Sequence, residues 1–316
     1  MPRTLAKEHI DILKQPPPKR PPRLTARRIG IHTSAAGGVD KAAERAYRLG
    51  CNTFQIFSSN PRQWTPCALP AAQCEAMRQL RSKYDLKPLV IHANYLINLA
   101  GTNREFHRRS IAAFRGEVER ALALGAEYLV LHPGSYRGGT REGGVERLAA
   151  AIGQAADGLD PAAGGLTILI ENTAGAEFSL GGSPEQVAEV LASLRGIVPA
   201  AACIDTCHLH AAGYDVVSPE GFALTLRRLD AALGLRRIPV WHCNDAKSAC
   251  GSHLDRHQHI GKGAIGREAF RRLLHDPRLT RAAFIAETPI DRPGDDRRNI
   301  NALKALAPGR PRANAH

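Results

Sequence analysis

The sequence predicts an α/β protein that folds as a single (β/α)₈ TIM barrel. Eight short apolar segments alternate with eight helical segments between residues 28 and 306, the order that a parallel sheet covered by helices requires. A doubly wound open sheet is the structural alternative. No Gly-x-Gly-x-x-Gly motif follows the first segment, which disfavours that alternative.

The strands are predicted from short runs rich in Ile, Val, Leu and Phe. Such runs have the length of strands that are buried on both faces, as in a parallel sheet. They occupy residues 28–32, 53–57, 88–92, 127–132, 166–171, 201–205, 238–242 and 283–287.

The helices are predicted from longer amphipathic segments with recognisable ends. Pro184 and Pro219 each follow a serine, which matches an N-cap followed by proline in the first turn. Gly50 and Gly125 stand where helices are expected to end. The helices are predicted at 39–49, 70–84, 105–124, 145–156, 184–194, 219–233, 267–274 and 299–306.

Positive charge is concentrated at the ends of the chain. The formal net charge is +13, of which residues 1–28 carry +6 and residues 309–316 carry +2. We therefore predict three regions: a poorly ordered, proline-rich basic extension (1–28), a barrel domain (29–308) and a basic C-terminal tail (309–316). An extension that touches phosphates is the functional alternative.

Composition excludes several classes of protein. No run approaches the roughly 18 apolar residues of a membrane span, and the first 15 residues lack the apolar core of a secretory signal. The chain has seven cysteines and no Cys-x-x-Cys pair, which favours reduced thiols over a disulfide framework or a zinc ribbon. A cytoplasmic protein is expected.

Polar side chains end the last six predicted strands. They recur at intervals of 34 to 45 residues, about one strand–helix unit, so a barrel would gather them at one rim. A lone histidine there is more often structural, and a lone aspartate is often an N-cap. Six together predict a metal centre, because inward-facing carboxylates need cations. The six residues are His92, His132, Glu171, Asp205, His242 and Glu287.

Three further residues extend this cluster. His208 follows Asp205 by three positions, and Asp255 and His257 lie in the long segment after the seventh strand. Mixed histidine and carboxylate ligands suit Zn²⁺, Mn²⁺ or Fe²⁺ better than Mg²⁺ or Ca²⁺. Nine potential ligands are too many for one ion and fit two or three.

The same segments carry a family resemblance. Leu131-His-Pro-Gly-Ser135 and Cys203-Ile-Asp-Thr-Cys-His208 are two of nine ordered motifs. Together they resemble the endonuclease IV family of apurinic/apyrimidinic DNA-repair endonucleases, over residues 28 to 306. The nine motifs occupy residues 29–38, 60–64, 92–99, 131–135, 170–175, 203–208, 242–247, 255–257 and 287–288.

The resemblance implies a TIM barrel that holds three zinc ions, with manganese in part of the site. It assigns His92 and His132 to the first ion, and Asp205, His242 and Glu287 to the second. Glu171 would bridge these two ions and act in catalysis. The third ion would be held by His208, Asp255 and His257.

The resemblance also implies an activity. The family cuts the phosphodiester 5′ to an abasic site, leaves a 3′-hydroxyl and a 5′-deoxyribose phosphate, and removes 3′-blocking groups. The implied nucleophile is a metal-bound hydroxide. The implied partner is double-stranded DNA with abasic sites or 3′-blocked ends, and a monomer associated with the nucleoid would suffice.

DNA contacts are expected from the rim loops. Arg62 resembles the family's groove-probing arginine, and Tyr95 and Leu96 resemble its wedge residues. A solvated loop cation and a ring packed at the barrel edge are the alternatives for Arg62 and Tyr95. Lys262 stands where some members carry an acidic residue, and its role is left open.

Two other functions compete with the resemblance. TIM-barrel sugar isomerases and epimerases also bind one or two metals with strand-end carboxylates and histidines. A third group of ligands argues against them. A DNA-binding module with a structural metal would instead hold zinc in a closed site of Cys and His ligands.

Overall fold

The computed structural model describes residues 11–309, and its main sheet is the predicted barrel. All the pairings among its eight strands are parallel. Each strand lies within the limits of a predicted one, apart from one residue at the start of β6. The strands are β1 (Arg28–Ile31), β2 (Phe54–Phe57), β3 (Leu89–His92), β4 (Tyr128–Leu131), β5 (Thr167–Glu171), β6 (Ala200–Asp205), β7 (Val240–His242) and β8 (Ala283–Ala286).

Helices follow the strands and cover the outside of the barrel. They are α1 (Val39–Leu49), α2 (Ala71–Tyr84), α3 (Arg104–Leu124), α4 (Arg141–Ala156), α5 (Pro184–Ser193), α6 (Thr206–Ala211), α7 (Pro219–Leu233), α8 (Arg267–His275) and α9 (Asp295–Leu306). Helices α4 and α9 each begin four residues before their predicted starts. The short α6 has no predicted counterpart, because six residues are too few to show a helical period.

The barrel closes between its first and second strands. Strand β1 pairs with β8 along four residues, whereas a single parallel bridge between His32 and Gln55 joins its other side to β2. The Thr33 N–H donates to the Gln55 carbonyl at 2.8 Å. Strands β1 and β2 therefore meet through a close approach of their backbones and not through a regular ladder of hydrogen bonds.

Gly30 permits this approach. A Cβ built on Gly30 would lie 2.1 Å from the backbone oxygen of Thr53, and a backbone atom cannot move aside as a side chain can. We expect Gly30→Ala to lower the free energy of unfolding by about 2–3 kcal/mol, as measured by urea denaturation. Gly116→Ala is the matched control, since a Cβ there would meet nothing within 4 Å. Equal stabilities of the two variants would contradict this account of the closure.

The apolar core has two layers. Six inward-facing side chains fill the barrel, and a larger shell packs between the strands and the helices. The barrel is thus a packed core, and functional groups have room at its rim alone. The six interior residues are Val90, Val130, Leu169, Cys203, Val240 and Ile285.

The described part of the predicted N-terminal extension lies against the barrel. Ile12 is buried, and Asp11 pairs with Arg45 of α1. The buried Arg27 donates to the carbonyl oxygens of Leu274 at 2.6 Å and Asp276 at 2.9 Å. Residues 1–10 and the tail beyond Gly309 lie outside the described residues, and the boundary at residue 28 stays a prediction.

Among residues 11–309, no helix is both long enough and apolar enough to cross a bilayer.

Candidate metal centre

Glu171 lies at the centre of the polar cluster. It is the last residue of β5, and its side chain is completely buried. One carboxylate oxygen lies 3.2 Å from His92 Nε2 and 3.0 Å from His132 Nε2. The other lies 2.9 Å from His242 Nδ1. One carboxylate thus faces imidazoles from three other strands of the barrel.

A second group of possible ligands shares Glu171. Donor atoms of Glu171, Asp205, His242 and Glu287 all lie within 4.8 Å of one another. Glu287 Oε2 is 3.2 Å from His242 Nδ1. Three carboxylates and one imidazole in a buried space carry more negative charge than a dry interior tolerates without cations.

The third group lies beside these two. Helix α6 begins directly after Asp205, the last residue of β6. His208 lies in the first turn of this helix and therefore stays close to the rim. Asp255 Oδ2 lies 3.2 Å from His208 Nε2, and Asp255 Oδ1 lies 3.1 Å from His257 Nε2. The segment Asp245–Ala246 pairs with His257–Gln258 as a short antiparallel ribbon, which fixes His257 at this place.

Backbone carbonyls hold three of the imidazoles, and His92 and His208 are the first two of these. The Nδ1 atom of His92 is 2.8 Å from the carbonyl oxygen of Ala93, and that of His208 is 2.8 Å from the carbonyl oxygen of Asn172. A neutral imidazole donates its single N–H to such an oxygen, which leaves Nε2 as an electron-pair donor. Metal-ligating histidines are usually oriented in this way.

The other two oriented imidazoles follow the same rule. His257 places Nδ1 3.0 Å from the carbonyl oxygen of Glu287, and His242 places Nε2 2.8 Å from the amide oxygen of Gln55. Among the described residues, the buried His257 Nε2 has no hydrogen-bond partner, although Asp255 is close. A cation between the two would satisfy both atoms.

Electrostatics keep the central carboxylates ionised. Burial alone would raise the pKa of Glu171, but the charges of His242 and His132 and their hydrogen bonds hold it well below its ordinary value. Burial is likewise outweighed at Glu287, where His242 and His32 lower the pKa. The side chains are therefore charged as metal ligands must be.

The third group predicts a pH dependence of the metal-free protein. Burial opposes protonation, but Asp205 and Asp255 raise the pKa of His208 to about 10 and that of His257 to about 9. Both values exceed the roughly 6.5 of an unfolded histidine. These ion pairs therefore contribute stability that is complete below that pH and is lost as the pH rises through 9 to 10.

We accordingly expect the free energy of unfolding of the metal-free protein to decrease between pH 7 and pH 10. Urea titrations at several pH values measure this change. Asp255→Asn removes a carboxylate that raises both pKa values, so its curve is expected to be flatter. A wild-type curve that rises over this interval would contradict the pKa assignments.

Three polar residues of the site were not among the predicted site residues. Gln55 of β2 also donates to Glu287 at 2.5 Å. Asn244 donates to Asp205 at 2.5 Å, and Asn172 accepts from the backbone of Asp205 at 2.7 Å. The sequence signal that could have identified them is an uncharged polar residue inside, or just after, an apolar strand. A buried amide at such a place needs hydrogen-bond partners.

Asp245 has a supporting role that the sequence did not suggest. Its carboxylate accepts backbone N–H groups from Gly261, Gly263 and Ile265 at 2.8–3.1 Å. A Cβ on Gly263 would lie 2.3 Å from the Ala246 carbonyl oxygen. Asp245 therefore shapes the glycine-rich loop that presents Lys262, whose side chain is exposed.

Of the three predicted DNA contacts, Tyr95 lines the mouth of this site, whereas Leu96 and Arg62 do not. Tyr95 is 63% exposed, and its ring packs edge-on against Phe57 at 4.9 Å between centroids. Leu96 is exposed next to it, and Arg62 is exposed on the preceding rim loop. A cavity of about 430 Å³ reaches from Tyr95 and Arg256 down to His132 and Glu287, but Arg62 and Lys262 do not line it.

The chain is similar to known proteins over most of its length. A family model described as a xylose isomerase-like TIM barrel matches residues 43–306. A protein of Solibacter usitatus (strain Ellin6076) named probable endonuclease 4 is 50% identical over 283 residues, or 89% of this chain and 97% of the relative. A protein of the same name from Methanoculleus marisnigri is 41% identical and covers 88% and 98%.

Solved structures give the same fold. The crystal structure of endonuclease IV from Thermus thermophilus superposes with a TM-score of 0.77 and 40% identity, and the match covers 88% of this chain and 98% of that one. A D-tagatose 3-epimerase-like protein superposes with a TM-score of 0.63 at 20% identity, over 88% and 96% of the two chains. The second likeness extends to the fold alone.

Proposed function

The chain belongs to the endonuclease IV family, and from this premise we propose that it is a metal-dependent DNA-repair endonuclease. It hydrolyses the phosphodiester 5′ to an abasic site, leaves a 3′-hydroxyl and a 5′-deoxyribose phosphate, and also removes 3′-blocking groups. The observation that carries this proposal is the junction at Glu171, whose two carboxylate oxygens face two separate groups of ligands.

The donor set fits three ions of the zinc type, with manganese at part of the site. His92 and His132 would hold the first ion together with Glu171, which would also be a ligand of the second. Asp205, His242 and Glu287 would complete the second site. His208, Asp255 and His257 would hold the third ion.

Bound ions would activate a water molecule as the nucleophile and neutralise charge on the phosphoryl oxygens. The chain's own residues supply the geometry. Glu171 contacts two ligand groups and so sets the separation between them. Its complete burial prevents its side chain from adopting another conformation. Gln55 and the backbone carbonyls keep the imidazoles in the required tautomer.

The rim residues act on the DNA. Tyr95 at the mouth and Leu96 next to it in the chain are exposed side chains, suited to fill the gap that an extruded abasic nucleotide leaves in the stack. Arg62 supplies a cation for the adjacent groove. A missing base lowers the cost of extrusion, which favours damaged over intact duplex.

A metal-dependent sugar isomerase or epimerase is the alternative function. The D-tagatose 3-epimerase-like neighbour shares the fold at 20% identity. The third ligand group favours the endonuclease, because isomerisation of a sugar needs no third ion.

Incubation with a synthetic duplex that contains one abasic site tests the proposal. We expect a single cut on the 5′ side of that site and no cut in a matched intact duplex. Isomerisation of a ketose with no incision would overturn the proposal in favour of the alternative.

The metal content provides an independent check. Elemental analysis of the purified protein is expected to give about three ions per chain, at three or four protein ligands for each ion. Enclosed multidentate sites release metal slowly, so brief exposure to a magnesium chelator should leave incision intact. One ion per chain, or none, would contradict the trinuclear assignment.

The proposal also includes the setting of the activity. The substrate is double-stranded DNA with abasic sites or 3′-blocked ends. The protein acts as a cytoplasmic monomer that associates with the nucleoid when it engages DNA.

A further inference from the structure

Two rim loops carry the residues expected to contact DNA. Rim loop 2 comprises residues 58–70, between β2 and α2, and includes Arg62. Rim loop 3 comprises residues 93–103, between β3 and α3, and includes Tyr95 and Leu96. The two loops are joined by Asn94, whose amide donates to the Gln63 carbonyl oxygen at 2.6 Å.

Arg120 of α3 ties both ends of rim loop 2 to the barrel. Arg120 is 9% exposed. Its guanidinium donates to the carbonyl oxygen of Cys67 at 2.8 Å and to Ser58 Oγ at 2.9 Å. It also donates to the carbonyl oxygen of Ser58. One planar fork therefore holds two backbone positions that lie nine residues apart in the chain.

Glu117, one helical turn earlier, holds the start of both loops. Its carboxylate accepts the Ser58 hydroxyl at 2.6 Å and lies beside the backbone N–H of Asn94 at the start of rim loop 3. Glu117 is 5% exposed, so these contacts are shielded from water. Helix α3 thus anchors rim loop 2 and rim loop 3 through one buried polar network.

Rim loop 2 makes apolar contacts through Trp64, whose ring centroid lies 6.3 Å from that of Phe106, and through Leu69, which packs against the core. Cavities of about 350 Å³ and 760 Å³ lie next to the loop, and Ser59 and Arg120 line both of them. A loop bordered by cavities on this scale needs its polar contacts, in addition to these two side chains, to keep its position.

We propose that Arg120 and Glu117 are positioning residues that hold the two rim loops in the arrangement that binds damaged DNA. This inference rests on the proposed function. Neither residue is among the grouped possible ligands, so their effect would pass through the loops. Substitution should weaken recognition of the abasic duplex and leave the chemical step nearly intact.

Arg120→Lys is the decisive variant. It keeps a positive charge beside the buried Glu117, but an ammonium cannot reproduce the fork that reaches Ser58 and Cys67 together. We expect KM for the abasic duplex to rise about tenfold, as for the loss of one or two hydrogen bonds. The turnover number and the metal content should stay close to wild type.

Two further measurements separate positioning from general destabilisation. Hydrogen exchange of the DNA-free protein should increase in residues 59–66 and not in the barrel strands. Combined with Arg62→Ala, Arg120→Lys should add little to the rise in KM, because both changes disable the same loop. Arg115→Lys is the matched control, since Arg115 lies on the same helix and pairs with the exposed Glu119.

Unchanged exchange in residues 59–66, fully additive effects with Arg62→Ala, or a loss of turnover at constant KM would each overturn the inference. If the wild-type protein fails to cut abasic DNA, the proposed function fails. The exchange measurement still decides whether Arg120 holds the loop.

Discussion

Glu171→Gln is expected to reduce incision of an abasic duplex by about a thousandfold or more. Gln has nearly the shape of Glu but lacks its negative charge, and Glu171 faces His132 with one oxygen and His242 with the other. The variant would hold two cations less firmly and leave their charges uncompensated in a fully buried place. Single-turnover incision at saturating protein measures the effect on the chemical step.

Binding of the same duplex should survive in part, because the rim residues are unchanged. A gel-shift or anisotropy titration measures this binding. Glu185→Gln is the matched control, since Glu185 is half exposed and pairs with Arg228 on the outer helices. Turnover of Glu171→Gln near that of the control would remove Glu171 from the bridging role.

Asp255→Asn is expected to remove one of about three ions and to lower incision on the order of a hundredfold. Asp255 contacts the imidazoles of both His208 and His257, so the third group loses the charge that completes it. The side chain is 47% exposed, so the barrel should fold as before. Elemental analysis and steady-state incision measure the two effects.

Asp85→Asn makes a useful comparison, because Asp85 is similarly exposed and pairs with Arg28 away from the metal centre. It should keep the full metal content and activity. Full incision by an Asp255→Asn protein with two ions would indicate that the third group has no part in the reaction. The sugar-isomerase alternative would then regain support.

The sequence determined the barrel and the candidate ligands because both depend on local, periodic information. Each of the last six strands is followed or ended by a polar residue at the rim, so the intervals between His92, His132 and Glu171 already equal about one strand–helix unit. The grouping into three sets came from the resemblance and stays a prediction, although the donor atoms within each set lie within 4.8 Å of one another. The short helix α6 gave no periodic signal, yet it is the element that carries His208.

Tertiary structure alone decided which side chains orient and support these ligands. Gln55 and His242 are 187 residues apart, and Asn244 meets Glu287 across 43 residues. An amide in a strand has many possible partners, and only packing brings a particular one within hydrogen-bond distance. The same holds for Arg120, whose sequence context is that of an ordinary helix cation. The fold places it under rim loop 2, where it donates to Cys67, 53 residues earlier in the chain. Burial then makes each such contact specific, because a polar group removed from water must be satisfied by the neighbours that the fold supplies.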